Sequence, residues 1–567
     1  MASLTPAESL VKAHVPSRLH KKDATLYDFS QEALESAQGF MGWTDLASNP
    51  PSSLDAITEF AQEVIDEGLE RVCLLAEGGS SQAAMTITKL NAANHQNIRF
   101  STMDCLSPIY VDKILRDVDY ERTLFIVSTK SGTTIETISL FKVIWQDALE
   151  KIGQKAAGRR FVAITDPGSK LETMAKELGF RGCFLGEPSV GGRFSALSVF
   201  GLVPAALCGL NIHEIVRRAA AMEELCAADT LNNPAVQLAN FLHTNLREDS
   251  AHCFTYISPQ PGRVFGLWME QLIAESLGKN GQGVVPHIEI DVNLLNRHQP
   301  KHPVILYYTG PDSTFDREAS MLSPELPQRS YMLENPLDIG RHFILWEYAT
   351  AFLGWLYKVP PFNQPDVQIA KAGALSALHG ERPDRTHRLE EPWLFAEYSE
   401  SFANETGIAD PTQMHSVNEV IDALMSIVKS GNWISVNAFL PFTGERRGPM
   451  EVIRHTLARQ LEVPVSLEIG SRYLHSTGQL QKGGPNTGIF LILSGDVDDD
   501  KAVPNESYGL SALQVAQSKG DLDALDSKGR RALHFHLIDC EAETLWRLAH
   551  AFEDAGTRLA VKKALQS

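Results

Sequence analysis

The sequence is poor in the features that mark secreted, membrane-bound and nucleic-acid-binding proteins. Its 567 residues include seven cysteines, none in a CxxC pair, so we expect neither a disulfide framework nor a zinc site and predict a reduced, cytoplasmic protein. No basic segment followed by an apolar one opens the chain, so we expect no secretory signal. Lys and Arg number 51 against 70 Asp and Glu, which disfavours nucleic acid or an anionic membrane surface as the partner.

Long apolar runs and nucleotide-binding motifs are also scarce. The uncharged run Phe194–Ile212 contains Ser, Gly and Pro and is only moderately apolar, so it predicts a buried helix, with a membrane span as the alternative. Neither GxxxxGK[ST] nor GxGxxG occurs, so the sequence gives little support to a nucleotide-binding function.

The order of the apolar segments predicts an α/β protein. Strands and helices alternate between residues 55 and 165, as in a doubly wound parallel sheet. We divide the chain into an N-terminal extension (1–55), a first α/β block (56–230), a second block (231–385) and a C-terminal α/β block (386–567). The predicted strands are Arg71–Ala76, Ile98–Met103, Thr123–Ser128, Arg160–Thr165, Cys253–Ser258, Pro303–Tyr308, Trp433–Phe439, Val463–Glu468, Gly488–Leu493 and Ala532–Ile538.

Two turns of small residues each follow a predicted strand and precede a predicted helix. They are EGGSS at 77–81 and STKSGTT at 128–134. In a parallel sheet such turns collect free backbone N–H groups and the positive end of a helix dipole, which favours anions. The hydroxyls of the second turn add neutral donors for a phosphate. For either turn alone, helix capping by Ser or Thr stays an open alternative.

Several segments together resemble the glucose-6-phosphate isomerase (phosphoglucose isomerase) family, which is built from sugar isomerase (SIS) domains. They are EGGSS (77–81), STKSGTTIET (128–137), SVGGRFSALSVFGLVPAALCG (189–209), QLIAESLGKNG (271–281) and FNQPDVQIAK (362–371). The resemblance implies SIS-type doubly wound parallel sheets flanked by helices, with a helical N-terminal extension. It is closest to the isomerase half of chains in which a transaldolase is fused in front. Because fewer than a hundred residues precede the first turn here, we expect a stand-alone isomerase.

The resemblance also implies the residues that carry the chemistry. Gln271 lies four residues before Glu275, which puts both on one helical face. Two glycines precede Arg193, so the backbone can pack closely there while the guanidinium reaches the developing enediolate. The implied catalytic residues are Glu275 as base, Arg193, Lys371 and His475. The implied binding residues are Gly79, Ser80, Thr129, Lys130, Ser131, Thr133, Thr134, Gln271 and Gln364.

The chain departs from the family pattern in three places. Leu277 stands where the family commonly has Asn, and the first turn lacks the usual Leu-Gly-Pro. The histidine segment, GSRYLHSTGQLQKGG (470–484), follows the lysine instead of preceding it, as in the fused relatives. The resemblance implies a homodimer in which His475 completes the site of the neighbouring subunit.

The function implied is the reversible aldose–ketose isomerisation of glucose 6-phosphate and fructose 6-phosphate, with no cofactor and no metal. Two alternatives stay open: the same chemistry on mannose 6-phosphate or another hexose phosphate, and a non-catalytic sugar-phosphate sensor, which would need no base. Three possible metal sites are set aside. The acidic DVDDDK (496–501) lacks calcium-loop spacing, and the pairs His298 with His302 and His534 with His536 lack further ligands.

Overall fold

Three helix-covered β-sheets organise the chain in this computed structural model, which describes residues 4–50, 53–94, 98–246, 252–289, 291–383, 388–408 and 416–566. The predicted α/β class is therefore confirmed. All seven cysteines are free, as the sequence predicts.

The N-terminal extension is helical, as predicted, and packs into the core. Its helices are α1 (Pro6–Lys12), α2 (Val15–His20) and α3 (Gln31–Phe40), followed by a 3₁₀ turn at Gly42–Asp45. Thr5 and Glu8 form a capping box that fixes the start of α1. Trp43 is fully buried and stacks on Phe194, with 4.7 Å between the ring centroids. The extension thus supports the segment that carries Arg193.

The first sheet is entirely parallel, with the strand order β2-β1-β3-β4-β5. The order reverses between β1 and β3, and in such sheets ligands bind at the carboxyl ends of the two strands that flank this switch point. The turns at 77–81 and 128–134 leave these two ends. The elements are α4 (Leu54–Asp66), β1 (Arg71–Ala76), α5 (Gln82–Leu90), β2 (Arg99–Met103), α6 (Pro108–Arg116), β3 (Thr123–Ser128), α7 (Ile135–Ile152), α8 (Gln154–Gly158), β4 (Phe161–Thr165), α9 (Lys170–Glu177) and β5 (Gly182–Leu185).

The second sheet is also parallel, with the order β7-β6-β8-β9. The uncharged run forms a buried helix, α10, as predicted, and among the described residues no helix has the length and apolar character needed to span a bilayer. The elements are α10 (Val199–Leu207), α11 (Ile212–Cys226), α12 (Pro234–Asn245), β6 (Cys253–Ile257), α13 (Arg263–Leu277), β7 (Val285–Ile288), α14 (Val292–Arg297), β8 (Val304–Tyr308), α15 (Ser313–Ser320), β9 (Gln328–Met332), α16 (Ile339–Tyr357) and α17 (Val367–Leu378).

The C-terminal sheet is mixed, with the order β10-β11-β15-β14-β12-β13. Its last four strands are parallel, whereas β10 and β11 form an antiparallel hairpin that pairs antiparallel with β15. The elements are β10 (Arg388–Glu391), β11 (Leu394–Tyr398), α18 (Glu400–Thr406), α19 (Val417–Ile427), β12 (Trp433–Phe439), α20 (Gly444–Leu461), β13 (Val465–Ile469), α21 (Gly478–Gly483), β14 (Gly488–Gly495), α22 (Leu510–Ser527), β15 (Arg531–Leu537) and α23 (Ala542–Gln566).

All ten predicted strands are present, with ends within two residues of the prediction, but the sequence pattern missed β5, β7, β9, β10 and β11. Three of these five, β5, β9 and β10, lie at sheet edges with polar or half-exposed side chains, where the apolar pattern is weak, whereas the edge strand β7 is short and buried and contains Pro and His. The domain boundaries stay a prediction. Helix α4 runs across the boundary at residue 55, and the boundary at 385 lies outside the described residues.

Helix α17, which carries Lys371, packs against α22, and each helix has a glycine at the contact. A Cβ added to Gly373 would lie 3.0 Å from the Gly520 Cα, and a Cβ added to Gly520 would collide with the backbone of Ala374. Glycine at these positions lets the two backbones approach each other closely. The position of Lys371 therefore depends on this helix contact.

We expect Gly520→Ala to lower the free energy of unfolding by roughly 1–3 kcal/mol, because the added methyl group forces the α17 backbone outward. The matched control is Gly39→Ala in α3, where an added Cβ meets nothing within 4 Å and better helix propensity makes the change neutral or stabilising. Thermal unfolding of both variants measures the difference. Equal effects would contradict the proposed importance of the α17–α22 contact.

Candidate active site

The turn after β1 is held tightly against two other parts of the chain. Gly78 has a left-handed φ of +55°, and a Cβ there would come within 2.8 Å of the His475 Cβ and 3.1 Å of Gln271 Nε2. A Cβ on Gly79 would collide with the backbone of Gly192. Ser80 is half-buried on the same turn, and its N–H donates to the Glu77 carbonyl at 3.2 Å. The turn thus needs glycine because three segments meet there.

The turn after β3 presents hydroxyls that do not cap the following helix. Thr134 precedes α7 but makes no side-chain capping hydrogen bond, and Ser81 makes none at α5. The Thr129 and Thr134 hydroxyls are 2.7 Å apart, and the Ser131 hydroxyl accepts from the Thr133 N–H at 3.2 Å. The side chains of Ser81 and Thr134 therefore do not cap α5 and α7, and the hydroxyls of the second turn contact one another instead.

Lys130 lies apart from the other residues of this turn. Its ammonium pairs with Asp166 and lies 3.4 and 3.3 Å from the carbonyls of Glu187 and Pro188. Lys130 does not line the cavity described next. The charge of Lys130 is therefore paired with Asp166, and a phosphate-binding role for Lys130 stays a prediction.

A cavity of about 630 Å³ opens beside the second turn and brings distant residues together. It is large enough for a sugar phosphate. Lys371 faces it from α17 and is exposed, and no carboxylate within the described ranges lies in ion-pair contact with it. His475 lies on the opposite wall. The lining also includes Ser131, Gly132, Thr133, Thr134, Glu136, Lys142, Lys170 and Gln517.

Glu275 lies near the end of α13, on the same helical face as Gln271, as the sequence predicts. The Gln271 side-chain amide donates to the Glu275 carboxylate at 3.3 Å and to the His475 carbonyl at 2.8 Å. Glu275 is 7% exposed and does not itself line the cavity. Gln271 therefore connects this carboxylate to His475, which lines the cavity.

Arg193 is the buried partner of Glu275. Its Nη1 lies 3.0 Å from Glu275 Oε1 and 2.9 Å from the Gln364 side-chain oxygen. Its other N–H groups donate to the Ser276 hydroxyl at 3.0 Å and to the carbonyls of Pro361 and Asn363 at 2.9 and 3.1 Å. Burial lowers the pKa of Arg193, while the negative charge of Glu275 opposes this effect. Because all five donors have acceptors, Arg193 holds Glu275 and Gln364 in position.

The histidine segment is anchored to elements that are far away in sequence. The Ser471 hydroxyl donates to Glu77 at 3.3 Å, Arg472 donates to Asp104 at 3.2 Å and the Tyr473 hydroxyl donates to Asp521 at 2.6 Å. These contacts insert the 3₁₀ turn Arg472–His475 between the first sheet and α22. His475 then contacts Gln271 and the cavity of its own chain, and a contribution of His475 to a neighbouring subunit's site stays a prediction.

Glu136 is a site residue that the sequence analysis missed. Its carboxylate lies 3.1 Å from His475 Nε2 and accepts from the Gln517 amide at 2.6 Å. Burial opposes ionisation of Glu136, but His475 and its other hydrogen bonds outweigh this and hold the pKa of the carboxyl below its usual range. The signal was in the quoted segment STKSGTTIET, where a Glu follows the hydroxyls in the first helical turn.

Apart from Thr129, which contacts Thr134, and Lys130, which pairs with Asp166, the predicted residues fall into two connected groups. One group lines the cavity: Ser131, Thr133, Thr134, Lys371 and His475. The other lies behind it: Arg193, Gln271, Glu275, Gln364 and the Gly79–Ser80 turn. Gln271 connects the two through the His475 carbonyl.

Of the histidine pairs set aside earlier, one gains a third member. His287 lies beside His298 and His302, and these three are the one group of potential metal ligands found among the described residues. His534 and His536 share the Ser494 hydroxyl, at 2.7 and 2.8 Å.

Parts of this chain are similar in sequence to known glucose-6-phosphate isomerases. A family model for phosphoglucose isomerase matches residues 63–290, which include Arg193, Gln271 and Glu275 but neither Lys371 nor His475. Glucose-6-phosphate isomerase of Mycoplasmopsis pulmonis is 27% identical over 419 residues, covering 65% of this chain and 96% of that protein. Probable glucose-6-phosphate isomerase of Methanococcus maripaludis is 28% identical over 396 residues, covering 62% and 87%.

A solved structure supports the fold independently. The crystal structure of a glucose-6-phosphate isomerase from Chlamydia trachomatis superposes with a TM-score of 0.54 at 18% identity, covering 66% of this chain and 87% of that one. Over about three fifths of its length, this chain is therefore similar to glucose-6-phosphate isomerases in both sequence and fold.

Proposed function

We propose that the chain is an enzyme that interconverts glucose 6-phosphate and fructose 6-phosphate, a reaction of glycolysis and gluconeogenesis. The observation that carries the proposal is the cavity in which phosphate-binding hydroxyls, Lys371 and His475 meet, with Glu275 connected to it through Gln271. The similarity to glucose-6-phosphate isomerases supports the choice of substrate.

The phosphate binds first, at the turn after β3. Ser131, Thr133 and Thr134 supply hydroxyl donors, and the start of α7 supplies N–H groups and the positive end of a helix dipole. Lys170 also lines the cavity and adds positive charge, whereas Lys142 is paired there with Glu506. A net acidic protein thus offers the anion a locally positive site.

His475 and Lys371 act on the cyclic sugar. Ring opening moves a proton from the C1 hydroxyl to the ring oxygen, which needs a group that both accepts and donates a proton. The Glu136 carboxylate, 3.1 Å from His475 Nε2, orients the His475 ring. Lys371, with no carboxylate to neutralise it among the described residues, is free to steady the sugar oxygens.

Glu275 performs the isomerisation itself. It removes the proton from C2 of the open-chain aldose, giving an enediolate, and returns a proton to C1 to give the ketose. Arg193 holds the carboxylate at 3.0 Å, and Gln271 fixes the other carboxylate oxygen. In the proposed reaction C2 of the substrate must come within reach of this carboxylate, which Gln271 connects to His475 at the cavity.

We also propose an oligomeric state, a cellular location and a likeness to one group of relatives. We infer a homodimer from the family resemblance and a cytoplasmic location from seven free cysteines. The order of Lys371 before His475 supports the likeness to the isomerase half of transaldolase fusions.

The first prediction concerns the base. Glu275→Gln keeps the size of the side chain and a hydrogen bond to it but cannot accept the C2 proton, so kcat for glucose 6-phosphate should fall by several orders of magnitude with little change in KM. A coupled assay in both directions measures this, with mannose 6-phosphate as the competing substrate. A near-normal kcat in the variant would refute the assignment of Glu275.

If the wild-type protein binds the sugar phosphate but does not turn it over, the alternative function as a non-catalytic sugar-phosphate sensor is favoured.

The second prediction concerns the phosphate. Replacing Ser131 and Thr134 together by Ala removes hydroxyl donors worth about 1–3 kcal/mol each toward a charged group, so KM should rise at least about tenfold while kcat changes little. Inorganic phosphate should compete with substrate. The control is Lys130→Met, which should change KM much less because Lys130 pairs with Asp166 outside the cavity. A larger KM change in the control than in the double variant would reverse the assignment.

The third prediction concerns the histidine. His475→Ala should slow turnover of the cyclic hexose phosphate strongly but spare binding of an acyclic inhibitor such as a phosphorylated aldonic acid. The surface variant His550→Ala is the control. Because His475 contacts Gln271 of its own chain, mixed assemblies of His475→Ala and Glu275→Gln chains, isolated with two affinity tags, should stay inactive. Recovered activity would mean that the site is shared between subunits.

A further inference from the structure

We propose that His287, His298 and His302 form a buried binding site for one divalent transition-metal ion of the zinc type. The three residues come from β7, from the end of α14 and from the loop that leads into β8. One ring nitrogen of each lies within 4.8 Å of one ring nitrogen of the others. Two nitrogens bound to one tetrahedral Zn²⁺ lie about 3.3 Å apart. Rotation of the side chains that moves each ring tip by roughly 1 Å would bring the three ring nitrogens to this separation.

The hydrogen bonds of the cluster leave its nitrogens underused. The Thr255 hydroxyl lies 3.1 Å from His287 Nδ1 and 2.7 Å from His302 Nε2, and it orients both rings. Among the described residues, both nitrogens of His298 are buried without a hydrogen-bond partner, and His287 Nε2 has none at good geometry, although the Val465 backbone lies near its ring. Buried polar atoms are rarely left without a partner because the lost solvation is not recovered. A metal ion would satisfy these nitrogens.

The cluster is chemically suited to a metal and poorly suited to water or to charge. The three side chains are 1–2% exposed. Burial disfavours a charged imidazolium, and the neutral imidazole is the form that binds metals. Imidazole favours zinc, copper, nickel and iron over calcium or magnesium.

A carboxylate held by Arg454 lies next to the cluster. Glu289 Oε2 lies 3.9 Å from His287 Nε2 and 2.8 Å from the Arg454 guanidinium. The Arg454 contact fixes the carboxylate, in the way that outer groups orient metal sites. None of these residues lines the cavity of the proposed active site, so the ion would be structural.

The position of the cluster indicates what the ion would stabilise. The Gln299 N–H donates to the Glu462 carbonyl at 3.1 Å, and Arg297 pairs with the Glu462 carboxylate at 3.0 Å. Arg454, which holds Glu289, belongs to α20 of the C-terminal block. The ion would therefore fasten the second sheet where it meets the C-terminal block.

The test uses the full chain without a histidine tag. After dialysis against EDTA, the protein is titrated with Zn²⁺ and with Co²⁺, and bound metal, thermal unfolding and the Co²⁺ visible spectrum are measured. We expect about one tightly bound ion per chain, a rise in Tm of several degrees and the intense absorption of tetrahedral Co²⁺. Failure of the wild-type protein to retain either ion would overturn the proposal.

His298→Leu separates a metal site from ordinary packing. Leucine has nearly the volume of histidine, and His298 gives up no hydrogen bond, so without a metal role the substitution should leave Tm unchanged or raise it. With the metal role, the variant should lose the ion and the Zn²⁺-dependent rise in Tm, whereas the surface variant His550→Ala should keep both. Retention of one ion per chain by His298→Leu would contradict the site.

Discussion

The buried guanidinium of Arg193 holds three separate parts of the chain in one place. It follows the glycine turn at 191–192, contacts Glu275 and Ser276 at the end of α13, and binds Pro361, Asn363 and Gln364 just before α17. A buried charge is costly unless every donor is satisfied, so the acceptors must all be present together. The same side chain therefore positions the proposed base and the segment that leads to Lys371.

The proposed site depends as much on contacts between blocks as on either block alone. The turns after β1 and β3 come from the switch point of the first sheet, Glu275 comes from α13, and His475 comes from the C-terminal block. Ion pairs and hydrogen bonds from Arg472 to Asp104 and from Tyr473 to Asp521 hold the histidine turn between them. The anchoring residues lie more than 40 positions from their partners. The histidine segment can therefore follow Lys371 in the sequence, instead of preceding it, and still occupy the same place in the site.

Much of this was visible in the sequence, and the rest was hidden for identifiable reasons. Buried parallel strands such as β1 and β3 read as continuous apolar runs, so their positions were predicted, whereas the short polar edge strands β9 and β10 carried no such pattern. The i,i+4 spacing predicted the Gln271–Glu275 contact. Neither the Lys130–Asp166 pair nor the approach of His287 to His298 and His302 has a signal in spacing, because both depend on how distant segments pack.

The proposed function depends on proton transfer by Glu275 through an enediolate. Exchange of carbon-bound hydrogen with solvent deuterium measures this transfer. Fructose 6-phosphate is incubated with the protein in D₂O, and deuterium at C1 of the ketose and C2 of glucose 6-phosphate is followed by NMR. We expect both positions to acquire deuterium with the wild-type protein and neither to do so at a comparable rate with Glu275→Gln. Isomerisation with no incorporation at either carbon would indicate a direct hydride shift, and wild-type incorporation by Glu275→Gln would assign the proton transfer to another group.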